Sequence, residues 1–286
     1  LKEVVVIGFG KQSKRKVTDN IASISADQIN QIPVSNFQSA LSGKAAGVQI
    51  TQINGKVESG VKMRIRGVSS ISSSQEPLYV IDGMPLINDN ESNSAAPINP
   101  LISINPDDIE SVQILKDASS AAIYGARGTN GVVLITTKQG KSGKTKISLN
   151  TSSGWSEATH KLKWLNAAQY VELFKEAVTY YDGDDTRFTD VDGEFDFQSN
   201  GKDWRKGQVD TDWQDLALVK GSVQDHTFSV SGGDDKTTFY VSGGYNNTQG
   251  IVRGNNMDRY SFRGNFDHKV SDKLRVGLNT SLSKTQ

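Results

Sequence analysis

The sequence lacks several features that mark common classes of protein. It contains no cysteine, which excludes disulfides, thiol catalysis and thiolate zinc sites. Lysine plus arginine equals aspartate plus glutamate, 32 against 32, so no basic bias favours nucleic acid as a partner. The three histidines have no spacing typical of a metal site or a catalytic triad. No apolar run approaches the roughly 20 residues of a membrane helix, although a transmembrane β-strand needs only about 9–11 alternating residues.

A stretch in the first half of the chain has the pattern of a compact α/β unit. Apolar residues within 109–115 predict a buried strand. Asp117 can cap the short helix predicted for residues 118–124, because its carboxylate can accept hydrogen bonds from the free N–H groups of the first turn. Gly125 follows where a left-handed residue ends many helices, and the β-branched run 132–137 predicts a central strand.

This stretch also carries the motif of a known family. The segment E-S-V-Q-I-L-K-D-A-S-S-A-A-I-Y-G-A-R-G-T-N-G-V-V-L-I-T-T-K resembles the end of the plug domain in outer-membrane TonB-dependent transporters, and specifically the SusC/RagA branch of Bacteroidetes. R-I-R-G at 64–67 and P-L-Y-V-I-D-G-M-P at 77–85 match as well. The resemblance gives structural roles in the plug to Arg64, Gly67, Asp82, Gly83, Asp117, Tyr124, Gly125, Gly128 and Gly131.

Pattern and resemblance together predict three parts. Residues 1–16 are a TonB box and linker, and residues 17–140 are an α+β plug domain with a mixed sheet. Residues 141–286 are the N-terminal part of a transmembrane β-barrel, with about five antiparallel strands and a long first extracellular loop at 156–222. The barrel is expected to be truncated, because five strands cannot close a barrel of about 22.

Five segments of the second half alternate apolar residues with small or polar ones, as barrel strands do when one face meets lipid and the other the lumen. Phe228 and Phe262 represent the apolar set, and Thr227 and Arg263 the polar set. The intervening connections alternate between long and short, which is typical of extracellular loops and periplasmic turns. A soluble β-sandwich shows the same alternation, so a soluble β-rich binding or adhesion module is the alternative. The five segments are 145–155, 226–232, 239–245, 260–266 and 274–282.

The first residues, L-K-E-V-V-V-I-G-F-G, permit two interpretations. The pattern alone predicts an ordinary edge strand ended by glycine. The resemblance implies a TonB box, an extended segment that adds to the edge of a partner's sheet through main-chain hydrogen bonds. The energy-coupling residues are then Glu3, Val4, Val5, Val6, Ile7 and Gly8.

Arg66 and Arg127, both in the matching motifs, also permit two interpretations. The resemblance implies that they pair with acidic residues on the inner wall of the barrel and lock the plug, with the partners expected beyond residue 286. Otherwise they are exposed loop arginines, whose surface pairs contribute less than about 1 kcal/mol.

Two weaker signals lie mainly between the first two predicted strands. Asp190, Asp192 and Glu194 offer oxygen ligands for calcium, but the EF-hand spacing is absent and a hydrated acidic loop explains them equally. The four tryptophans can pack in loops or at a membrane interface, or stack on sugars. They are Trp155, Trp164, Trp204 and Trp213.

The resemblance implies active import across the cell outer membrane, with no enzyme activity and no cofactor. A SusD-like surface lipoprotein would capture an oligosaccharide or peptide, and TonB would bind the TonB box from the periplasm. The plug, inside a barrel embedded in outer-membrane lipid, would then open a path. An acid-rich hydrolase would need two facing carboxylates, which no spacing in the sequence predicts.

Overall fold

The computed structural model describes residues 4–7, 10–13, 21–30, 36–52, 55–57, 61–67, 75–86, 100–180 and 210–286. In chain order, strands β1 to β14 are Val4–Ile7, Gly10–Ser13, Ile21–Ser25, Val48–Gln52, Val61–Ile65, Leu78–Ile81, Met84–Pro85, Ile109–Leu115, Val132–Thr137, Gly143–Ser156, Gly221–Gly233, Thr237–Gln249, Asn256–Lys269 and Arg275–Thr285. Helices α1 to α5 are Ala26–Ile29, Phe37–Ala40, Ala118–Ala121, Ala167–Tyr180 and Trp213–Ala217.

The chain divides into two compact units. The first comprises Leu1–Ser156, Gly221–Gly250 and Gly254–Gln286, and the second comprises Glu157–Lys220 with Ile251–Arg253. Within the first unit we call residues 21–138 the plug, and the sheet of β10 to β14 the wall.

The plug is built on a mixed sheet with the strand order β3-β8-β9-β6-β7. Strand β8 runs antiparallel to β3 and β9, whereas β6 runs parallel to β9. Strands buried on both faces are apolar at almost every position, and Val132–Ile135 of β9 are buried throughout. Strands β4 and β5 form a separate antiparallel pair. The predicted α+β plug with a mixed sheet is confirmed.

Two apolar clusters pack in the plug. The larger contains Phe37, Met63 and Ile114, and the smaller contains Leu115 and Val132. Within the larger cluster, the Gln38 amide donates to the Tyr79 hydroxyl over 2.7 Å, and that hydroxyl donates to the Met63 sulfur over 3.6 Å. Burial raises the pKa of Tyr79 above its ordinary value, so the phenol remains neutral in the core.

Two positive-φ turns explain the glycines of the motifs. Asp82 and Gly83 have φ values of +48° and +87° and join β6 to β7 through a two-residue loop. Such hairpin loops favour Asp-Gly, since both central residues need positive φ. Gly131 combines a φ of +90° with a close approach, because a Cβ there would lie 2.7 Å from Ile65 Cδ1. Only glycine fits this position without strain.

The wall is an antiparallel sheet in which each strand pairs with its neighbours in the chain. Its five strands contain the five predicted alternating segments, and the predicted antiparallel arrangement is confirmed. The predicted assignment of apolar and polar residues to opposite faces is also confirmed, since Phe228 is 49% exposed while Thr227 is 3% exposed. The apolar outer face is uncovered, and the polar inner face contacts the plug.

The second unit contains helix α4, whose apolar residues recur near helical spacing. The Asn166 side chain accepts a hydrogen bond from Gln169 N at 2.8 Å, and the Gln169 side chain accepts one from Asn166 N at 3.1 Å. Helix α5 starts after Asp212, whose carboxylate accepts from Gln214 N and Asp215 N. Within the described part of the chain, no helix has the length and apolar character to span a membrane.

Candidate functional site at the plug–wall interface

The described contacts between plug and wall are mainly polar, because the inward positions of β11, β12 and β13 carry hydroxyls, amides and arginines. The plug contributes the β6–β7 turn, the end of β9, and the 3-10 turns Pro100–Ser103 and Pro106–Asp108 that precede β8. We call this set of contacts the seam.

A buried ion pair forms one part of the seam. Asp82 accepts hydrogen bonds from the amide and the hydroxyl of Thr137, at 2.9 and 2.7 Å. Arg263 of β13 donates through Nη2 to Asp82 Oδ2 and to Thr137 Oγ1. The side chains of Arg263 and Asp82 are only 9% and 12% exposed. A buried pair is costly to break, because removal of one partner leaves the other charge uncompensated.

Asp108 forms a second buried contact, at the start of β8. Its Oδ1 accepts from the Tyr240 hydroxyl at 2.8 Å and from the Ser242 hydroxyl at 2.6 Å. Tyr240 and Ser242 lie two residues apart on β12, so they share its inner face. Two hydroxyls bind the carboxylate directly, the charge of Arg259 acts on it through space, and the three hydrogen-bonded residues are buried.

Asn105 joins the same plug segment to two wall strands. Its Oδ1 accepts from Asp107 N, which fixes the 3-10 turn. Its Nδ2 donates to Thr227 Oγ1 on β11 at 3.1 Å and to Ser261 Oγ on β13 at 3.5 Å. The approach requires Gly244 on β12, since a Cβ there would lie 2.5 Å from Asn105 Nδ2 and 2.6 Å from Ser261 Oγ. Side-chain bulk at this wall position would push the plug away.

Arg259 is the most deeply buried charge of the seam, with 1% of its surface exposed. It donates to the Ile102 carbonyl at 3.0 Å, and its guanidinium lies 3.8 Å from the Asp225 carboxylate. The Asn246 amide binds the same carboxylate at 2.8 Å. Carboxylates of the wall (Asp225) and of the plug (Asp108 and Asp107) thus both compensate the charge of Arg259, and the plug also supplies a backbone acceptor.

Two asparagines extend the seam to its ends. Asn265 donates to the Lys138 carbonyl at 2.7 Å, where the chain leaves the plug. Asn255, in the β12–β13 connection, accepts from Val57 N and donates to the Gly55 carbonyl, both at 3.3 Å. This second contact joins a wall loop to the connection between β4 and β5.

The structure places the predicted lock arginines elsewhere. Arg66, at a φ of +60°, forms an ion pair with Asp117 inside the plug. Arg127 lies exposed in the 3-10 turn Ala122–Gly128. Their proposed pairing with acidic residues of the barrel stays a prediction. The charged plug–wall contact that the structure describes has the opposite polarity, with arginine on the wall and aspartate on the plug.

Asp117 corrects one sequence prediction. It occupies the N-cap position of α3, but its side chain makes no capping hydrogen bond. The carboxylate instead faces Arg66, whose full charge is a stronger partner than neutral backbone N–H groups. Gly125 has the expected positive φ, at +63°, and Tyr124 packs partly buried against the smaller apolar cluster. Gly128 is a close-approach position, because a Cβ there would lie 2.7 Å from the Ala121 carbonyl oxygen.

The predicted coupling segment contains a described strand. Val4–Ile7 forms β1, which pairs antiparallel with β2 and sets Val4 against Ser13. Glu3 and Gly8 lie outside the described residues, as do the calcium candidates Asp190, Asp192 and Glu194. Their roles stay predictions.

Sequence reasoning did not identify Arg259 and Arg263 as functional. Both fall on the inward positions of β13, between the outward Tyr260 and Phe262. The available signal was a large charge on the polar face of an otherwise small-residue strand. The partner Asp82 lies 181 residues away in the chain, and no local pattern connects the two.

Comparison with known proteins agrees with this architecture. A family profile described as TonB-dependent Receptor Plug Domain matches residues 13–132. TonB-dependent receptor P26 of Formosa agariphila is 37% identical over 99% of this chain and 27% of its own length. TonB-dependent receptor SusC of Bacteroides thetaiotaomicron is 35% identical over 98% of this chain and 26% of its own length. The chain spans between 24% and 27% of the curated relatives it matches.

A solved structure extends the agreement to three dimensions. The RagAB peptide importer in its open-open state superposes with a TM-score of 0.80 and 30% identity, covering 99% of this chain and 32% of that chain. The plug and the five-stranded wall therefore define part of a TonB-dependent receptor. Within that class, the chain belongs to the SusC/RagA family.

Proposed function

We propose that this chain forms the gate and part of the wall of an outer-membrane importer that takes up a nutrient with energy supplied through TonB. The observation that carries the proposal is the Asp82–Arg263–Thr137 cluster, a buried polar contact between a plug turn and a wall strand. A gate must separate from its frame without losing its own fold. Polar groups can exchange partners with water during that separation, whereas a shared apolar core would have to be exposed.

The coupling segment in this proposal is the TonB box, Glu3 to Gly8. Strand β1 is apolar and has two edges, of which β2 occupies one. A partner strand can add to the other edge, because such addition uses main-chain hydrogen bonds and needs little side-chain specificity. Force applied there reaches the plug through the chain that leads into β3.

The cargo is an oligosaccharide or a peptide, delivered by a SusD-like lipoprotein on the cell surface. The related RagAB complex is a peptide importer. The proposed cycle includes no covalent step on the cargo, and the plug is the moving part. Arg66 and Arg127 are proposed to add plug–barrel contacts with acidic residues of the complete receptor.

A proline substitution tests the coupling step in cells that express the complete receptor with its lipoprotein. Val5→Pro removes a backbone donor from β1, and we expect uptake to fall to the level of cells that lack TonB. Val5→Ala keeps the donor and is the matched control, with most uptake retained. Labelled oligosaccharides and labelled peptides are measured in parallel, with receptor amounts checked in outer-membrane fractions. Unchanged uptake by the proline variant would exclude these residues from energy coupling.

A second measurement tests the soluble alternative. The receptor should be extracted from membranes only with detergent, because outward side chains such as Ile147 and Leu278 are 69% and 63% exposed. Release of the receptor by a salt wash alone would favour a soluble binding module.

A further inference from the structure

The inner face of β13 follows the plug over the height of the wall. Asn255, immediately before β13, contacts the connection between β4 and β5, and Arg259 contacts Ile102. Farther along the strand, Arg263 contacts the β6–β7 turn, and Asn265 contacts the residue that follows β9. These positions are separated by even numbers of residues and therefore share one face. We call the two ends of this line of contacts the loop end, at Asn255, and the turn end, at Asn265.

At the turn end, the chain itself joins the plug to the wall through a short link between β9 and β10. The Lys138 carbonyl accepts from Asn265 at 2.7 Å, and Lys138 N donates to the Asp108 carbonyl at 2.8 Å. Gly140 lies directly against β12, because a Cβ there would collide with Phe239 N. The link is thus fixed in position on the wall.

At the loop end, the plug is held more weakly. The connection between β4 and β5 leads back into the plug in both directions, so it has no covalent link to the wall. Asn255 accepts from Val57 N and donates to the carbonyl of the exposed Gly55, both at 3.3 Å. Hydrogen bonds longer than about 3.2 Å are weaker than average, and exposed ones exchange readily with water. We call residues 55–57 the tip.

The loop that carries Asn255 orients its side chain toward the tip. Gly250 N donates to the Asn255 carbonyl at 2.6 Å, which closes the loop. A Cβ at position 250 would collide with Asn255 Nδ2, so glycine leaves room for the amide that reaches the plug. Asn255 binds backbone atoms of the tip, and its hold is therefore independent of the side chains there.

The tip is firmly connected to the rest of the plug, so the two move together. Met63 and Ile65 of β5 are buried in the larger apolar cluster of the plug. The Lys116 ammonium, just after β8, donates to the Ala46 carbonyl, just before β4, at 2.7 Å. A displacement of the tip away from Asn255 is therefore a displacement of the plug.

The spacing of the two ends gives the effect of a small rotation. Asn255 and Asn265 lie ten residues apart, which is about 34 Å at about 3.4 Å per residue. A rotation of about 10° about the turn end would move the tip by roughly 6 Å, but groups at the level of Arg263 by only about 1 Å. Since hydrogen bonds are lost beyond about 3.5 Å, such a rotation breaks the Asn255 contacts first.

We propose that the plug pivots at the turn end and separates first at the loop end, where Asn255 is the latch. The loop end carries the β10–β11 and β12–β13 connections, which are extracellular in the proposed importer. The first gap between plug and wall then faces the arriving cargo. This inference rests on the proposed function for its direction, and it adds the order in which the seam opens.

Paired cysteines in the complete receptor test this order, because the described part contributes no cysteine of its own. Val57→Cys with Asn255→Cys joins the latch, and Lys138→Cys with Asn265→Cys joins the pivot as the matched control. We expect oxidation of the latch pair to abolish uptake and a reductant to restore it, because a joined tip cannot move away. Oxidation of the pivot pair should leave most uptake in place. Uptake by the oxidised latch pair, or equal loss in both, would overturn the proposal.

A second measurement does not depend on transport. Met257, the inward residue next to the latch, is completely buried, so labelling of Met257→Cys by a water-soluble maleimide reports opening at the loop end. Addition of Asn255→Ala should raise the labelling rate about tenfold, because two hydrogen bonds that favour the closed seam are lost. Asn265→Ala, the matched control at the turn end, should raise it much less. Equal rates in the two variants would contradict the proposed order.

The two measurements separate this inference from the proposed function. Heat-dependent mobility on gels identifies variants that fail to fold, and each reduced cysteine pair serves as its own reference for uptake. If the reduced receptors show no TonB-dependent uptake but the labelling order holds, the proposed function fails while the order of opening stands. If uptake is normal but the labelling order is reversed, the inference alone fails.

Discussion

The plug core and the seam are both buried, yet they are built from opposite chemistry. Phe37 and Met63 in the core are completely buried and touch other apolar groups, whereas Arg263 and Asp108 in the seam bind polar partners. Burial of apolar surface contributes about 25 cal/mol per Å², while a typical hydrogen bond contributes a net 0.5–1.5 kcal/mol. The core therefore holds the plug together, and the seam determines where it sits.

The difference teaches how a gate can be stable and still movable. Apolar groups lose their stabilisation when water enters, because water cannot replace their contacts. Polar groups that part in the presence of water recover hydrogen bonds, so the net cost of opening is smaller than the number of contacts suggests. A plug with this division of chemistry can leave the wall as a folded body.

The largest expected effect is in the core. Phe37→Ala removes a fully buried ring, and such substitutions lower the free energy of unfolding by about 3–5 kcal/mol. The loss is measured by pulse proteolysis of the receptor in urea, with cleavage sites in the plug identified by mass spectrometry. Ile123→Ala, at a side chain that is 53% exposed, is the control and should change stability by less than about 0.5 kcal/mol. Similar losses of stability in Phe37→Ala and Ile123→Ala would contradict the expectation that the buried core contributes more than the surface.

The next effect concerns coupling across the seam. In a double-mutant cycle of Asp82→Asn and Arg263→Gln, we expect an interaction free energy of about 1–3 kcal/mol, because the two side chains form one hydrogen-bonded cluster. The quantity measured is the urea dependence of proteolytic release of the plug from the wall. Phe37→Ala combined with Arg263→Gln is the comparison, since these residues belong to different regions. An additive result for Asp82 and Arg263 would show that the seam is not a cooperative contact.

A pair of adjacent glycines gives a smaller and purely steric test. Gly244→Val places side-chain atoms against Asn105, and overpacking of this kind costs about 1–3 kcal/mol. Gly243→Val is the matched control, because Gly243 faces outward and a Cβ there meets nothing within 4 Å. Labelling of a Ser103→Cys reporter, in the plug turn next to Asn105, measures opening of the seam in each background while Asn105 is kept. Equal labelling in both would mean that Gly244 does not govern the approach of plug and wall.

The smallest effect belongs to an exposed ion pair near the boundary of plug and wall. Lys141 and Glu110 lie 2.8 Å apart, with side chains 78% and 39% exposed. Lys141→Ala should lower stability by less than about 1 kcal/mol, and salt should weaken even that contribution. Unfolding in low and high salt measures both quantities. If Lys141→Ala lowered stability as much as Arg263→Gln does, the buried contacts of the seam would be no stronger than an exposed ion pair.

The sequence was sufficient for features that local patterns determine. Alternation along β13 predicted that Phe262 faces outward and Arg263 inward, because successive strand residues point to opposite faces. The spacing of apolar residues along α4 is typical of a surface helix, and the Asp82-Gly83 pair is typical of a tight turn. Each of these depends on residues that are neighbours in the chain.

The sequence was insufficient where distant residues meet. Asp82 was assigned a structural role in the plug, and nothing near it indicates an arginine on a strand that follows more than 170 residues later. Asp117 was correctly placed at the helix start, but its carboxylate pairs with Arg66 from another motif. Polar pairing in the tertiary structure thus redirected side chains whose backbone positions were predictable.

The strand order of the wall has a consequence for its biogenesis. Every strand from β11 to β14 pairs with the one made just before it, so the sheet can grow outward in the order of synthesis. The mixed sheet of the plug needs no segment after β9, so its hydrogen bonding can be complete before the first wall strand emerges. A finished plug can thereby offer a polar template on which each new hairpin aligns its inward residues.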